Sequence, residues 1–345
     1  MIVAGARPNF MKAAPLCHEF DKRKIAYSLI NTGQHFTKAM SEAFLKEFGI
    51  KPDHTIKPTA VSVIAQFSDI VTELGKIFEK EKPLMVIVVG DVNSSLAGAL
   101  AANKMAIPLV HIEAGLRSYN KKMPEETNRV MIDQIADLLL VTEEEGMENL
   151  KKEKITGKVH FVGNIMIDTL CRFLPDIKET SEEFHFCTLH RTENIDNKKV
   201  FEDILDALEV ISRDGKIYLP LHPRTEKMAR KFKLTARLKK IFSLLPPLSY
   251  KESIFYQKNA KLVLTDSGGV QEEASFLGTP CLTLRTETER PITVSRGTNM
   301  IAGVRKDTIL AVYRKCRCGK KQKIAIPLWD GKTAGRIVDI INKFI

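Results

Sequence analysis

The sequence predicts an α/β protein built from two doubly wound, Rossmann-like domains that face each other across a cleft. Three observations predict it. Short apolar runs of strand length alternate with helical segments, and the alternation restarts after a polar stretch at residues 175–183. Repeated alternation of this kind builds a parallel sheet covered by helices on both faces, here twice. Charged and polar residues also gather where the predicted strands end, the edge at which open parallel sheets bind ligands.

The first half places strands at Ile2–Ala6, Tyr27–Asn31, Leu84–Val89, Leu109–Glu113, Leu138–Thr142 and Val159–Val162. Each run is too short for a stable helix. Helical spacing fills Phe10–Asp21, Val61–Lys80, Ser94–Met105 and Glu125–Ala136 between them. In the second half, strands are expected at His185–Leu189, Lys216–Leu221, Lys261–Thr265 and Cys281–Leu284. The resulting division is 1–170 for a first Rossmann-like domain and 171–329 for a second, nucleotide-binding one. Residues 330–345 form a terminal amphipathic helix expected to pack back on the first domain.

Composition narrows the function. A chain of 345 residues can bury two sizeable cores. Its net charge of +11 suits an anionic ligand, yet the basic residues are dispersed apart from Arg314 to Lys323. Aromatics make up 7%, so the basic stripe with interleaved aromatics of a nucleic-acid reader is missing. No apolar run reaches membrane-spanning length, and Met1 leads directly into a strand without a signal peptide. Six cysteines without regular spacing point to a reducing compartment, the cytoplasm, and Cys316-Arg-Cys318 lacks a second pair to hold zinc.

The strand ends carry the chemistry. Lys261–Thr265 runs into Asp266-Ser267-Gly268-Gly269 and then helical spacing from Val270. Glycines there let a ligand approach the backbone, and a helix start offers N–H groups to phosphate. A tight connection explains Ser-Gly-Gly alone equally well. The next strand, however, delivers Arg285 to Arg290 to the same edge. After strand one, Arg7 and Lys12 sit at a helix start, a conflict with the dipole that a bound anion would relieve. Neither a GxGxxG nor a Walker loop is present, so no nicotinamide cofactor or NTP hydrolysis is indicated. Gly90-Asp91 and His111-Ile-Glu113 end strands expected to be neighbours, and two carboxylates side by side raise one another's pKa. Glu125 opens a helix after Pro124, where helix initiation accounts for it as well as chemistry does. His190 and His222 end parallel strands without metal-site spacing, so they are expected to face the cleft.

Together these segments resemble the non-hydrolysing UDP-N-acetylglucosamine 2-epimerases. The resemblance runs in order through Gly5-Ala-Arg-Pro…Lys12, Thr32-Gly-Gln-His35, Gly90-Asp91, His111-Ile-Glu-Ala-Gly-Leu-Arg117 and Pro124-Glu-Glu-Thr-Asn-Arg129. It continues through Gly163-Asn164, His190-Arg-Thr-Glu-Asn194, Asp266-Ser-Gly-Gly-Val-Gln-Glu-Glu273, Thr288-Glu-Arg-Pro291 and Asp330-Gly-Lys332. It implies the glycosyltransferase-B type of two-domain fold, a homodimer, and interconversion of UDP-N-acetylglucosamine and UDP-N-acetylmannosamine for glycan synthesis. It also implies elimination of UDP to a 2-acetamidoglucal and re-addition, without metal or cofactor. Asp91, Glu113, Glu125 and His190 match the family's essential polar positions. Arg7, Lys12, Arg129, His222, Ser267, Gly268, Gly269, Glu273 and Arg290 match substrate-contacting ones. Glu273 is also a carboxylate expected in a first helical turn, where it is stabilising regardless of ligand.

Three rival readings stand beside this one. A transferase of the same fold would need an acceptor site, a hydrolysing epimerase would release free N-acetylmannosamine, and a non-catalytic sugar-nucleotide binder would not require the three carboxylates together. The chain departs from the family at Thr192, where an arginine is usual, and at Phe36-Thr37-Lys38, which lacks a further glutamine found in members regulated by a second sugar nucleotide. A hydroxyl in place of a charged phosphate contact weakens such a site by about ten- to a hundredfold. The reverse reaction is therefore expected to start from pure UDP-N-acetylmannosamine without a lag, which its progress curve checks directly.

Overall fold

The computed structural model describes residues 1–33, 44–59, 62–121, 123–316 and 325–344. The chain divides into two compact units, Met1–Thr169 with Pro327–Ile345, and Leu170–Ile326. Both are parallel-sheet α/β units.

The first unit holds seven strands: β1 (Ile2–Ala4), β2 (Leu29–Asn31), β3 (His54–Thr55), β4 (Val86–Val89), β5 (Leu109–Ala114), β6 (Leu138–Val141) and β7 (Lys158–Phe161). Their order is β3-β2-β1-β4-β5-β6-β7, all pairs parallel. The second unit holds β8 (Phe184–Thr188), β9 (Lys216–Pro220), β10 (Ser243–Leu245), β11 (Leu262–Thr265), β12 (Cys281–Thr283) and β13 (Asn299–Ile301). Its order is β10-β9-β8-β11-β12-β13, again parallel. Each order reverses direction once, between β1 and β4 and between β8 and β11, and such switch points open a crevice at the carboxyl ends.

The central strands are fully buried because helices cover both faces: Val86–Val89 and Leu138–Val141 have no solvent-facing side. Three strands were not readable from the apolar pattern: β3, β10 and β13. All three are sheet edges, and each contains half-buried or exposed residues, so no continuous apolar run marks them.

The terminal helix Thr333–Phe344 belongs to the first unit and lies along the helix Arg7–Arg23. Its first amides, on Thr333 and Ala334, donate to the two oxygens of Asp168 at 3.0 and 2.7 Å. Arg23 donates to Gly335 O at 3.2 Å and to Asp339 Oδ1 at 2.5 Å. Burial pushes the Asp168 carboxyl up despite these donors. Replacing Asp168 by Ala leaves two helix-start amides without a partner. Asp168→Ala is expected to cost about 1–3 kcal/mol in urea unfolding and to speed proteolytic removal of the terminal helix.

Candidate active site

In the first unit, the switch point is stitched by Asn9. It occupies the first turn of the helix Arg7–Arg23, accepts from the Ala6 amide at 3.1 Å, and donates to Val89 O at 2.7 Å. The loop after β1 is thereby tied to the end of β4. That helix starts earlier than its apolar spacing suggests, so Arg7 is its first residue and Lys12 falls in its second turn. The Arg7 guanidinium stands 5.1 Å from the Phe44 ring.

Lys12 and Glu113 are both buried and form an ion pair. Asp91 forms another with Arg129, whose Nε donates at 3.0 Å while Nη2 also donates to the same oxygen. The coupling expected between Asp91 and Glu113 is thus not the arrangement found, because each carboxylate is met by its own cation. Arg129 also donates to Glu126 at 3.0 Å, and Asn128 donates to Asp91 O at 2.8 Å. The helix Pro124–Ile135 is therefore fastened to the end of β4. Glu126 accepts from the amides of Ser118 and Tyr119 at 2.9 and 2.8 Å, holding the preceding loop. Its neighbour Glu125 is half-buried and, among the described residues, has no side-chain partner.

Glu113 carries a φ of +74° at a register shift between Ile112 and Ala114. A left-handed backbone at a non-glycine residue costs roughly 1–2 kcal/mol and needs surrounding structure to hold it. His111, Gly115 and Arg117 supply that structure through Asp133, which has no exposure. Burial opposes the charge on Asp133, and the cations of His111 and Arg117 outweigh it, holding the carboxyl below the usual range.

The second unit repeats the plan. Asp266, also without exposure, follows β11 and accepts from the amides of His190 and Arg191 at 2.9 and 2.8 Å. His190 Nδ1 lies 3.1 Å from its other oxygen. Burial raises this carboxyl as well, but His190 and the amide donors keep it below its ordinary value. The rings of His190 and His222 are 5.5 Å apart. His222 caps the helix Pro223–Lys231, its Nδ1 accepting from the Arg224 amide at 3.2 Å, so the neutral ring carries its proton on Nε2. Partial burial and the neighbouring His190 lower its pKa.

Ser267 precedes the helix Gly268–Leu277 without spending its hydroxyl on a cap. Because the helix begins at Gly268, Glu273 falls in its second turn, which corrects the first-turn placement. It is buried and accepts from Gln257 at 2.7 Å. Arg290 pairs with Glu272 at 2.7 Å, and Arg285 with Glu289 at 2.7 Å. Thr192 is spent on its neighbour Glu193 at 3.2 Å. Gln34, His35, Phe36, Thr37, Lys38 and Cys318 lie outside the described residues. Among the described residues, no three His, Cys, Asp or Glu side chains come together as a metal site, and no helix is long and apolar enough to cross a membrane.

Sequence reasoning gave no role to Asn9, His111, Asp133 or Asp266. One signal for Asp133 was present: Glu125, Arg129 and Asp133 recur at four-residue spacing and share a helix face.

Comparisons with known proteins show what the whole chain is similar to. A family model described as UDP-N-acetylglucosamine 2-epimerase matches residues 18–342. A UDP-N-acetylglucosamine 2-epimerase of Methanococcus maripaludis is 37% identical, over 99% of this chain and 97% of its own. The UDP-2,3-diacetamido-2,3-dideoxy-D-glucuronate 2-epimerase of Pseudomonas aeruginosa is 36% identical over 99% of each. A crystal structure of the Methanocaldococcus jannaschii UDP-GlcNAc 2-epimerase, in complex with UDP-GlcNAc and UDP, superposes with a TM-score of 0.93 at 36% identity, covering 99% of both chains.

The Arg285–Glu289 pair has a pH signature. Burial raises the Glu289 carboxyl, but Arg285 dominates and brings it from 4.5 down to about 2. A depressed carboxyl contributes stability above its unfolded value and loses it as pH falls through the folded one. Thermal stability is expected to decline between pH 4.5 and about 2. Glu289→Gln should lower stability at neutral pH, because it strands the buried Arg285, and flatten the decline across that window.

Proposed function

The chain belongs to the UDP-N-acetylglucosamine 2-epimerase family, and from that premise we propose that it interconverts UDP-N-acetylglucosamine and UDP-N-acetylmannosamine without hydrolysis. The observation that supports this best is in the first unit: Asp91 and Glu113 end adjacent strands, and the helix carrying Glu125 is fastened to Asp91 through Arg129 and Asn128. The C2 hydrogen of the substrate is not α to a carbonyl, so direct deprotonation is not available. Departure of UDP from C1 while a base takes the C2 proton avoids that problem, giving 2-acetamidoglucal and UDP, and re-addition returns the proton to the other face. Such a path needs a proton-exchanging group on each face of C2 and a stabiliser for the leaving diphosphate.

In this reading Asp91 and Glu125 exchange the C2 proton, and Glu113, paired with Lys12, keeps the charge between them fixed. His190, oriented by Asp266, and His222, with Nε2–H directed away from its cap, serve the departing diphosphate. The amides of Ser267, Gly268 and Gly269 receive phosphate oxygens at the helix start. Glu273 takes ribose hydroxyls, while Arg7, Lys12, Arg129 and Arg290 complete the cationic contacts. The same reading makes the protein a cytoplasmic homodimer that feeds glycan synthesis; the described cysteines are all free, as in a reducing compartment.

The Pseudomonas relative is nearly as similar as the Methanococcus one, which favours a second reading in which the same chemistry acts on a UDP-diacetamido uronate. Relative kcat/KM on the two nucleotides decides between them. Incubation with UDP-N-acetylglucosamine in deuterated water should place deuterium at C2 of both epimers and at no other carbon. Conversion without it would sink the mechanism, and free sugar as the main product would indicate hydrolysis. Asp91→Asn, Glu113→Gln, Glu125→Gln and His190→Ala should each lower turnover by about 100-fold or more, with smaller effects on KM. Arg7→Ala and Glu273→Ala should act mainly on binding.

A further inference from the structure

Asp133 takes no part in the chemistry above, yet three donors of the first unit's strand-end geometry converge on it. Glu125, Arg129 and Asp133 follow one another along one face of the helix Pro124–Ile135. Arg129 holds Asp91 from that face. Asp133, completely buried, accepts His111 Nδ1 at 2.6 Å, the Gly115 amide at 3.0 Å and Arg117 Nη1 at 2.8 Å.

These donors flank Glu113 on both sides, and between them the chain makes its bulge with Glu113 at φ +74°. A bulge keeps its direction only if both ends are tied. Gly115 is fixed by sterics as well, since a Cβ there would lie 2.5 Å from Gly146 O. His111 extends the constraint to the neighbouring strand: its Nε2 donates to Gly90 O at 3.1 Å, immediately before Asp91. With an acceptor at each nitrogen, the ring donates from both.

We propose that Asp133 is a positioning residue for the reaction: a single buried carboxylate that, through His111 and the Gly115 amide, aims Asp91 and Glu113 together. The proposal rests on the functional reading in which those two carboxylates act on the sugar. The hydrogen-bond chain itself does not require that reading.

Asp133→Asn keeps the shape but presents an NH2 group where donors now converge. It is expected to lower kcat about 100-fold with KM changed less than threefold. UDP binding by calorimetry should change less than threefold, because Asp133 bonds His111, Gly115 and Arg117, none of which is assigned to the nucleotide. His111→Asn, which cuts the link to Gly90, should lower kcat in the same way. The double variant should lose no more than the worse single one, because both interrupt one chain.

A second readout needs no turnover. In 15N-histidine-labelled protein, His111 (identified by His111→Asn) should show two protected ring protons, and Asp133→Asn should remove the one on Nδ1. A kcat within threefold of wild type in Asp133→Asn, multiplicative losses in the double variant, or a single proton on the wild-type His111 ring would overturn the proposal. If Asp133→Asn fails to fold, His111→Asn and the wild-type ring protons decide it. If the wild type epimerises neither nucleotide, the functional reading fails, and the ring protons still show whether the clamp exists.

Discussion

A carboxylate with no access to water must find its countercharge and its donors within the chain. Each unit is organised around one. Asp133 gathers His111, Arg117 and the Gly115 amide; Asp266 gathers His190, Asn194 and the amides of His190 and Arg191. Removing one partner of such a set strands the others in low dielectric, at a cost of about 3–5 kcal/mol. The segments that supply the donors therefore cannot drift independently. Both sets sit where polar side chains leave the carboxyl edge of a parallel sheet, so the least compliant part of each unit is the part that carries the candidate chemistry.

The charge inventory of the first unit follows from this. Lys12 is given to Glu113, Arg129 to Asp91 and Glu126, and Arg117 to Asp133 and Glu153. Cations that look like anion-binding residues along the sequence have internal partners. The first unit consequently holds Asp91 and Glu113 in fixed ion pairs and leaves Glu125 without one among the described residues. The second unit differs. A ten-residue helix starts directly behind Ser267, and its first amides have no side-chain cap from that residue. Helix-start amides and a pair of histidines suit a diphosphate better than a crowded set of carboxylates does.

How much of this was legible in the sequence depends on whether the signal was local. Buried parallel strands such as Val86–Val89 announce themselves, because both faces must be apolar. Edge strands do not: His54–Thr55 has no apolar residue and Asn299–Ile301 mixes polar with apolar ones, and both contain residues that meet water. Strand-end residues were legible as a class, since a polar residue after an apolar run marks the sheet edge. Their partners were not. That Lys12 would meet Glu113, or Asn9 the end of β4, is set by strand order, and a parallel neighbour lies far away along the chain. Helix starts were misread for a physical reason too. Apolar spacing locates the first core-facing residue, whereas the helix begins earlier, at Arg7 and at Gly268, so Lys12 and Glu273 move into second turns.

Gly268 shows what such a reading can still recover. Its φ lies outside the left-handed region, and a Cβ placed on it would meet only Arg290 Cγ, at 3.9 Å. Among the described residues, nothing therefore requires glycine there. Alanine would fit and would favour the helix by up to about 1 kcal/mol. Gly115 is the opposite case, with φ +81° and the Gly146 backbone in the place of any side chain. A glycine that the fold demands is explained by its neighbours. One that the fold does not demand, at the first position of a helix without a side-chain cap, leaves its amides open to the phosphate contact proposed above.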